Sequence, residues 1–340
     1  MRTRVSDELI SRVADRTMAY PYQAWGFGEA VAMRALLAAG RVTGDLRYRR
    51  FVTDQFARWR ARRSARLTYA DHVTPGVPLL ELAAHDRRWM SSASALAELF
   101  RTCPRRNGLM LHRPDLDWWS THIWVDCLYT DGAFLALWAR HTRQPAWTDL
   151  AAQHVLAYVR VLWDAAVDLF VHGYDAATGQ ASPVHWGRGN GWALLGLLDF
   201  LRVLPRSHPA WPPLAHIVER HVRALLALQD ADGHWHTVLD RSDTPLESSV
   251  AAMMAYGLPV VARLGLVSPQ VAEVADRALA AALARLDADG GLQGTSAATP
   301  IGDLAIYTGR PTGVFPWGQG PLLLALVDRV APDVCWEDLQ

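Results

Sequence analysis

Hydrophobic positions in this chain fall into two alternating kinds of segment. Stretches near 24–40, 73–84, 123–141, 188–204, 246–266 and 319–330 are apolar nearly all round. A helix that is apolar on every side must be buried on every side. The stretches between them, near 6–19, 44–61, 86–101, 145–163, 211–229 and 268–286, carry one apolar stripe beside a charged face. Phe51, Val52, Phe56 and Trp59 show that spacing, with arginines opposite. Each junction repeats a turn followed by an aromatic, as in Gly44-Asp45-Leu46-Arg47-Tyr48, His85-Asp86-Arg87-Arg88-Trp89, Arg143-Gln144-Pro145-Ala146-Trp147 and Ser207-His208-Pro209-Ala210-Trp211. The pattern predicts twelve helices in six pairs, an all-α chain forming a single (α/α)6 barrel over 1–340. An open solenoid of helical hairpins uses the same unit without closing the ring.

The loops leading into the apolar segments have a composition of their own. They read Trp25-Gly26-Phe27-Gly28-Glu29, Tyr69-Ala70-Asp71-His72, Ile123-Trp124-Val125-Asp126, His185-Trp186-Gly187-Arg188-Gly189-Asn190-Gly191-Trp192, Asp232-Gly233-His234-Trp235-His236 and Pro316-Trp317-Gly318-Gln319-Gly320. In a toroid whose inner helices run parallel, all of them converge on one mouth. Tryptophans there suit a sugar ring, whose C–H face stacks on an indole, although a chain with 15 Trp buries many in its core. Converging helix N-termini favour an anionic sugar such as a uronate.

Within this mouth, Asp126 is the lone acid at the start of an apolar segment, in the place of a general acid or of a helix cap. Asp71 precedes Thr74-Pro75, where N-capping explains it equally well, and Asp131 reads as structural. Asn190 is one of only two asparagines, set between two glycines where backbone and ligand approach closely. Arg188 beside it has the fork to grip a carboxylate, or else serves a structural turn.

Composition removes whole classes of chemistry. The 340 residues carry 34 basic and 34 acidic groups, which gives no electrostatic attraction for nucleic acid or for a membrane surface. None of the basic residues is lysine, so phosphate-loop, Schiff-base and kinase-like chemistries fall away. Cys103, Cys127 and Cys335 are scattered as buried small hydrophobes, and neither His234-Trp235-His236 nor His216 with His221 has a third ligand at metal spacing. No cofactor or metal is expected. Charges interrupt the first twenty residues, so a cytoplasmic location is expected, with the substrate delivered inside the cell. The oligomeric state is not legible.

Taken in order, Asp71, the Ile123-Trp124-Val125-Asp126 opening, Trp186 to Trp192, Leu228 to Trp235, Leu246-Glu247-Ser248-Ser249, Gly294-Thr295-Ser296 and Pro316 to Gly320 resemble glycoside hydrolase family 105, known for unsaturated rhamnogalacturonyl hydrolases. The resemblance implies an (α/α)6 barrel that removes a 4,5-unsaturated uronate from the non-reducing end of lyase products by hydrating a vinyl ether. It implies that Asp126 is the acid/base, Asp71 the second acid, and Arg188, Trp192, Trp124 and His172 substrate contacts; Trp25, His72, Asn190 and Trp317 join them as residues of the mouth. The run Cys127-Leu128-Tyr129-Thr130-Asp131-Gly132 departs from the family's usual apolar stretch with Met and Pro, which bears on the sugar beyond the uronate. Related family 88, unsaturated glucuronyl hydrolases, is the nearest alternative. A sugar epimerase using His234 and His236, or a non-catalytic helical-repeat module, are alternatives of other classes.

Overall fold

The computed structural model describes residues 5–23, 28–62, 67 and 74–339. Its outer helices are α1 (Asp7–Met18), α3 (Leu46–Ala61), α5 (Met90–Thr102), α8 (Pro145–Leu162), α10 (Trp211–Ala227) and α12 (Val271–Leu283). They alternate along the chain with inner elements α2 (Glu29–Thr43), α4 (Gly76–His85), the pair α6 (Cys127–Thr130) and α7 (Gly132–Thr142), α9 (Gly187–Val203), α11 (Ser248–Arg263) and α14 (Pro316–Val330). A short α13 (Leu304–Thr308) lies outside both rings. Going round, α2 packs on α4, α4 on α7, α7 on α9, α9 on α11, α11 on α14, and α14 returns to α2. The last contact closes an (α/α)6 barrel and excludes the open solenoid.

Burial follows the two kinds of sequence pattern. Every residue of α9 from Gly187 to Leu201 is buried, as an all-round apolar helix requires. In α10 only Leu214, Ala215, Val218, His221, Val222 and Leu225 are buried, one stripe at helical spacing. Local chemistry sets the ends: the Ser6 hydroxyl accepts from Leu9 N–H at 3.2 Å, and Asp45 accepts from Arg47 N–H at 2.9 Å.

The segment 123–141 departs from its expected single helix. His122–Trp124 is instead a strand paired antiparallel with Gly173–Asp175, and the helix that follows is broken at Asp131. The break has a tertiary cause. Asp131 is fully buried, and its carboxylate accepts from Nε2 of His112 at 2.8 Å and of His154 at 2.9 Å, with the Thr130 hydroxyl on its other oxygen at 2.7 Å. Burial opposes ionisation, but the charge of His112 and the hydrogen bonds from His112 and His154 outweigh it and hold the Asp131 carboxyl well below its usual range. Short hairpins such as Trp235–His236 with Leu246–Glu247, and Thr295–Ser296 with Thr312–Gly313, brace other loops entering the inner ring.

At the opposite end from those loops, the chain's last turn closes the barrel. Trp336 is buried there with the guanidiniums of Arg34 at 4.3 Å and Arg202 at 5.2 Å from its ring centroid. Asp333 accepts from Arg202 at 2.6 Å and Arg263 at 3.1 Å, and Arg34 pairs with buried Asp199. Among the described residues no helix is long and apolar enough to cross a membrane.

Candidate active site

The inner helices start at one end of the barrel, where the first turns of α6, α9 and α14 border a cleft of about 270 Å³. Trp124, Asp126, His172, Trp186, Arg188, Trp192 and Trp317 line it, together with Arg113, Trp119 and the segment Ala298 to Pro300. Asp126 sits just before α6 and is buried, as is His172. Backbone pairing sets the two side by side: Trp124 faces Gly173 in the ladder, and Val125 N–H donates to the His172 carbonyl at 3.0 Å. His172 Nε2 lies 3.7 Å from Asp126 Oδ2, beyond hydrogen-bond length.

The His172 ring lies against Trp186, centroids 4.3 Å apart, and its Nδ1 is 2.7 Å from the Tyr307 hydroxyl. Burial, reinforced by the nearby charge of Arg188, lowers its pKa to about 3, so the imidazole is neutral under ordinary conditions. The cleft therefore sets a carboxyl group beside a neutral ring donor or acceptor, inside aromatic walls. Such a pair can move a proton to and from a bound sugar while the indoles hold its C–H face.

Arg188 lines the cleft with its fork engaged by the protein itself. One terminal nitrogen donates to the Ser296 carbonyl at 2.9 Å and hydroxyl at 2.7 Å and lies 3.3 Å from Glu247; the other donates to the Ala297 carbonyl at 2.9 Å and reaches the Thr299 hydroxyl at 3.3 Å. Its fork grips the protein's own 296–299 segment while the side chain borders the cleft. Its flat face lies 4.5 Å from the Trp186 centroid and 5.7 Å from that of Trp317. Trp317 Nε1 donates to the same Ser296 carbonyl at 2.9 Å.

Asn190 corrects one expectation. It is fully buried behind the cleft, where its amide donates to the carbonyls of Phe170 and Trp186, both at 2.9 Å, and accepts from Phe170 N–H at 2.8 Å and His221 Nε2 at 3.0 Å. The close approach that its glycine neighbours suggested is to the chain's own backbone. Asp71, His72 and Trp25 lie outside the described residues. His234 and His236 do not line the cleft, which removes the paired histidines that an epimerase reading needs. Among the described residues no group of three His, Cys, Asp or Glu is placed to hold a metal ion.

Two lining residues carried no notice in the sequence: Trp119 and Arg113 lie in or beside a Trp-rich loop, Leu116-Asp117-Trp118-Trp119, whose composition could have marked it. Behind the lining, Glu247 beside Arg188 belongs to a motif already noted, whereas Tyr307 beside His172 is a single tyrosine in a Gly- and Ala-rich stretch.

Comparison with known proteins agrees with this fold. The family model described as Glycosyl Hydrolase Family 88 matches residues 2–331. The unsaturated rhamnogalacturonyl hydrolase YesR of Bacillus subtilis (strain 168) is 26% identical over 339 residues, 95% of each chain. A possible member of the GH105 family from Klebsiella pneumoniae subsp. pneumoniae MGH 78578 superposes with TM-score 0.89 at 25% identity, over 97% of this chain and 94% of that one. The unsaturated glucuronyl hydrolase of Bacillus sp. GL1 shares the fold, with TM-score 0.79 at 20% identity over 97% of this chain and 96% of its own. Both families suggested by the motifs thus stand among its relatives.

Proposed function

The chain belongs to Glycosyl Hydrolase Family 88, and from that premise we propose that it releases a 4,5-unsaturated uronate from the non-reducing end of oligosaccharides made by polysaccharide lyases. The observation that carries this reading is the buried Asp126 beside neutral His172 in a cleft walled by Trp124, Trp186 and Trp317. Asp126 delivers its proton to C4 of the unsaturated ring, which leaves oxocarbenium character at C5. The Asp126 carboxylate then takes a proton from water as the water oxygen bonds to C5. The resulting hemiketal opens and expels the remaining sugar. Asp71 is the second acid in this proposal. The full-length likeness to a rhamnogalacturonyl hydrolase favours a rhamnogalacturonan-derived substrate over a glycosaminoglycan fragment.

The test follows the ultraviolet absorbance of the C4=C5 bond in lyase digests. Wild-type protein bleaches it, and in heavy water the product carries deuterium at C4. Asp126→Asn keeps the size of the side chain but not its proton chemistry, so turnover falls by roughly 10²- to 10⁴-fold with the fold intact. A persistent absorbance, product without deuterium at C4, or near-normal turnover in the variant would overturn the reading.

A further inference from the structure

Between the paired strands Thr295–Ser296 and Thr312–Gly313 the chain leaves the barrel as an arm and returns. Its first residues, Ala298 to Pro300, line the cleft, and α13 within it carries Tyr307. Tyr307 is buried, although the residues flanking it on α13, Ile306 and Thr308, are exposed. Its hydroxyl points inward to His172 Nδ1 at 2.7 Å, with the two rings 5.6 Å apart and steeply inclined. Nothing in the hydrolase reading above uses this group.

We propose that Tyr307 is a positioning residue: its hydroxyl donates to Nδ1 of His172 and so fixes that imidazole as the tautomer whose Nε2–H faces Asp126 and the cleft. A neutral imidazole carries one proton. On Nδ1, that proton would point at the Tyr307 oxygen, and the phenol would have to send its own hydrogen elsewhere. Among the described residues the Tyr307 hydroxyl makes one hydrogen bond, to His172 Nδ1, so the phenol's one hydrogen goes to His172. Burial pushes the Tyr307 hydroxyl up to about 12, so it retains that hydrogen at any pH where the protein works. The arrangement is therefore Tyr307 to Nδ1, with Nε2–H toward Asp126. At 3.7 Å the Nε2–H is too far to be consumed by the carboxylate, which leaves it available to an oxygen of the bound sugar. The catalytic consequence rests on the hydrolase reading; the tautomer does not.

The test is chosen to keep those two apart. In protein with ¹⁵N-labelled histidine, the imidazole signal that disappears in His172→Gln reports His172, and in the wild type it should show a protonated Nε2 and a bare Nδ1. Tyr307→Phe keeps the ring packed against His172 and Trp186 but removes the donor. In that variant the signal should move toward the Nδ1–H form. Its kcat should fall about tenfold with KM nearly unchanged, a fraction of what a positioned proton-transfer group contributes. A wild-type ring protonated at Nδ1 overturns the proposal even if the variant fails to fold. So does a Tyr307→Phe ring still held as Nε2–H, or a lost tautomer with unchanged kcat on a substrate that the wild type cleaves. Should the wild type cleave no unsaturated sugar, the hydrolase reading fails while the imidazole signal still decides the tautomer.

Discussion

Arg188 and Asn190 were both conspicuous in the sequence, and for both the partner turned out to be the protein itself. Glycines on either side of Asn190 signal that something comes close, yet the sequence cannot say whether that is a ligand or the Phe170 backbone, which lies twenty residues back. His172 and Asp126, by contrast, were legible because their neighbours form a motif whose order survives along the chain. For Arg188 these bonds change what a substitution should do. Lysine keeps the charge but offers one ammonium in place of a planar fork, so it cannot hold Ser296 and Ala297 together. Arg188→Lys should therefore lose about 2–4 kcal/mol of stability, with turnover falling as the 296–299 segment loosens. Urea unfolding beside steady-state kinetics checks this. A raised KM at unchanged stability would return Arg188 to the role of a carboxylate grip.

The alternation of inner and outer helices was readable because burial on all sides and burial on one side leave different patterns, and α9 and α10 show each plainly. The hairpin strands were not, since two or three residues are too few to display a period of two. The break at Asp131 was hidden for another reason: its partners His112 and His154 come from elements on either side of it in sequence, so only the folded chain brings them together. The last turn of the chain is an element of the same hidden kind. Trp336 looks like one more terminal aromatic, but it is buried under Arg34 and Arg202 and closes the barrel end away from the cleft. Trp336→Ala should cost about 3–5 kcal/mol of stability through the cavity it leaves, while KM stays at the wild-type value in conditions where the variant is folded. Thermal unfolding and kinetics on the same preparation test it, and a changed KM would show that the closed end communicates with the mouth.

Whether the ring closes at all is a property of the whole molecule, and it depends on α2 meeting α14 across nearly the full length of the chain. No local pattern encodes that contact; it follows from six pairs being enough to complete a turn. The same closure buries polar groups deeply enough to make stability depend on pH. His172 and His221 are fully buried, and desolvation lowers both from 6.5 to about 3; burial also lowers His154 and His234. The unfolded chain takes up protons near pH 6.5 that the folded chain refuses, so it binds more protons throughout the interval between the two values. Stability from these groups is therefore fully present above pH 6.5 and is lost as pH falls toward about 3, each fully buried histidine contributing up to about 1.4 kcal/mol per pH unit. Urea unfolding at pH 7, 6 and 5 should give a falling free energy. His221→Gln retains an N–H for Asn190 Oδ1 but has nothing to protonate, so its profile should be shallower by about one histidine's share. A wild-type profile that stays flat over this range would mean that the barrel admits protons to its buried imidazoles, and that the neutral His172 facing Asp126 is not a fixed feature of the site.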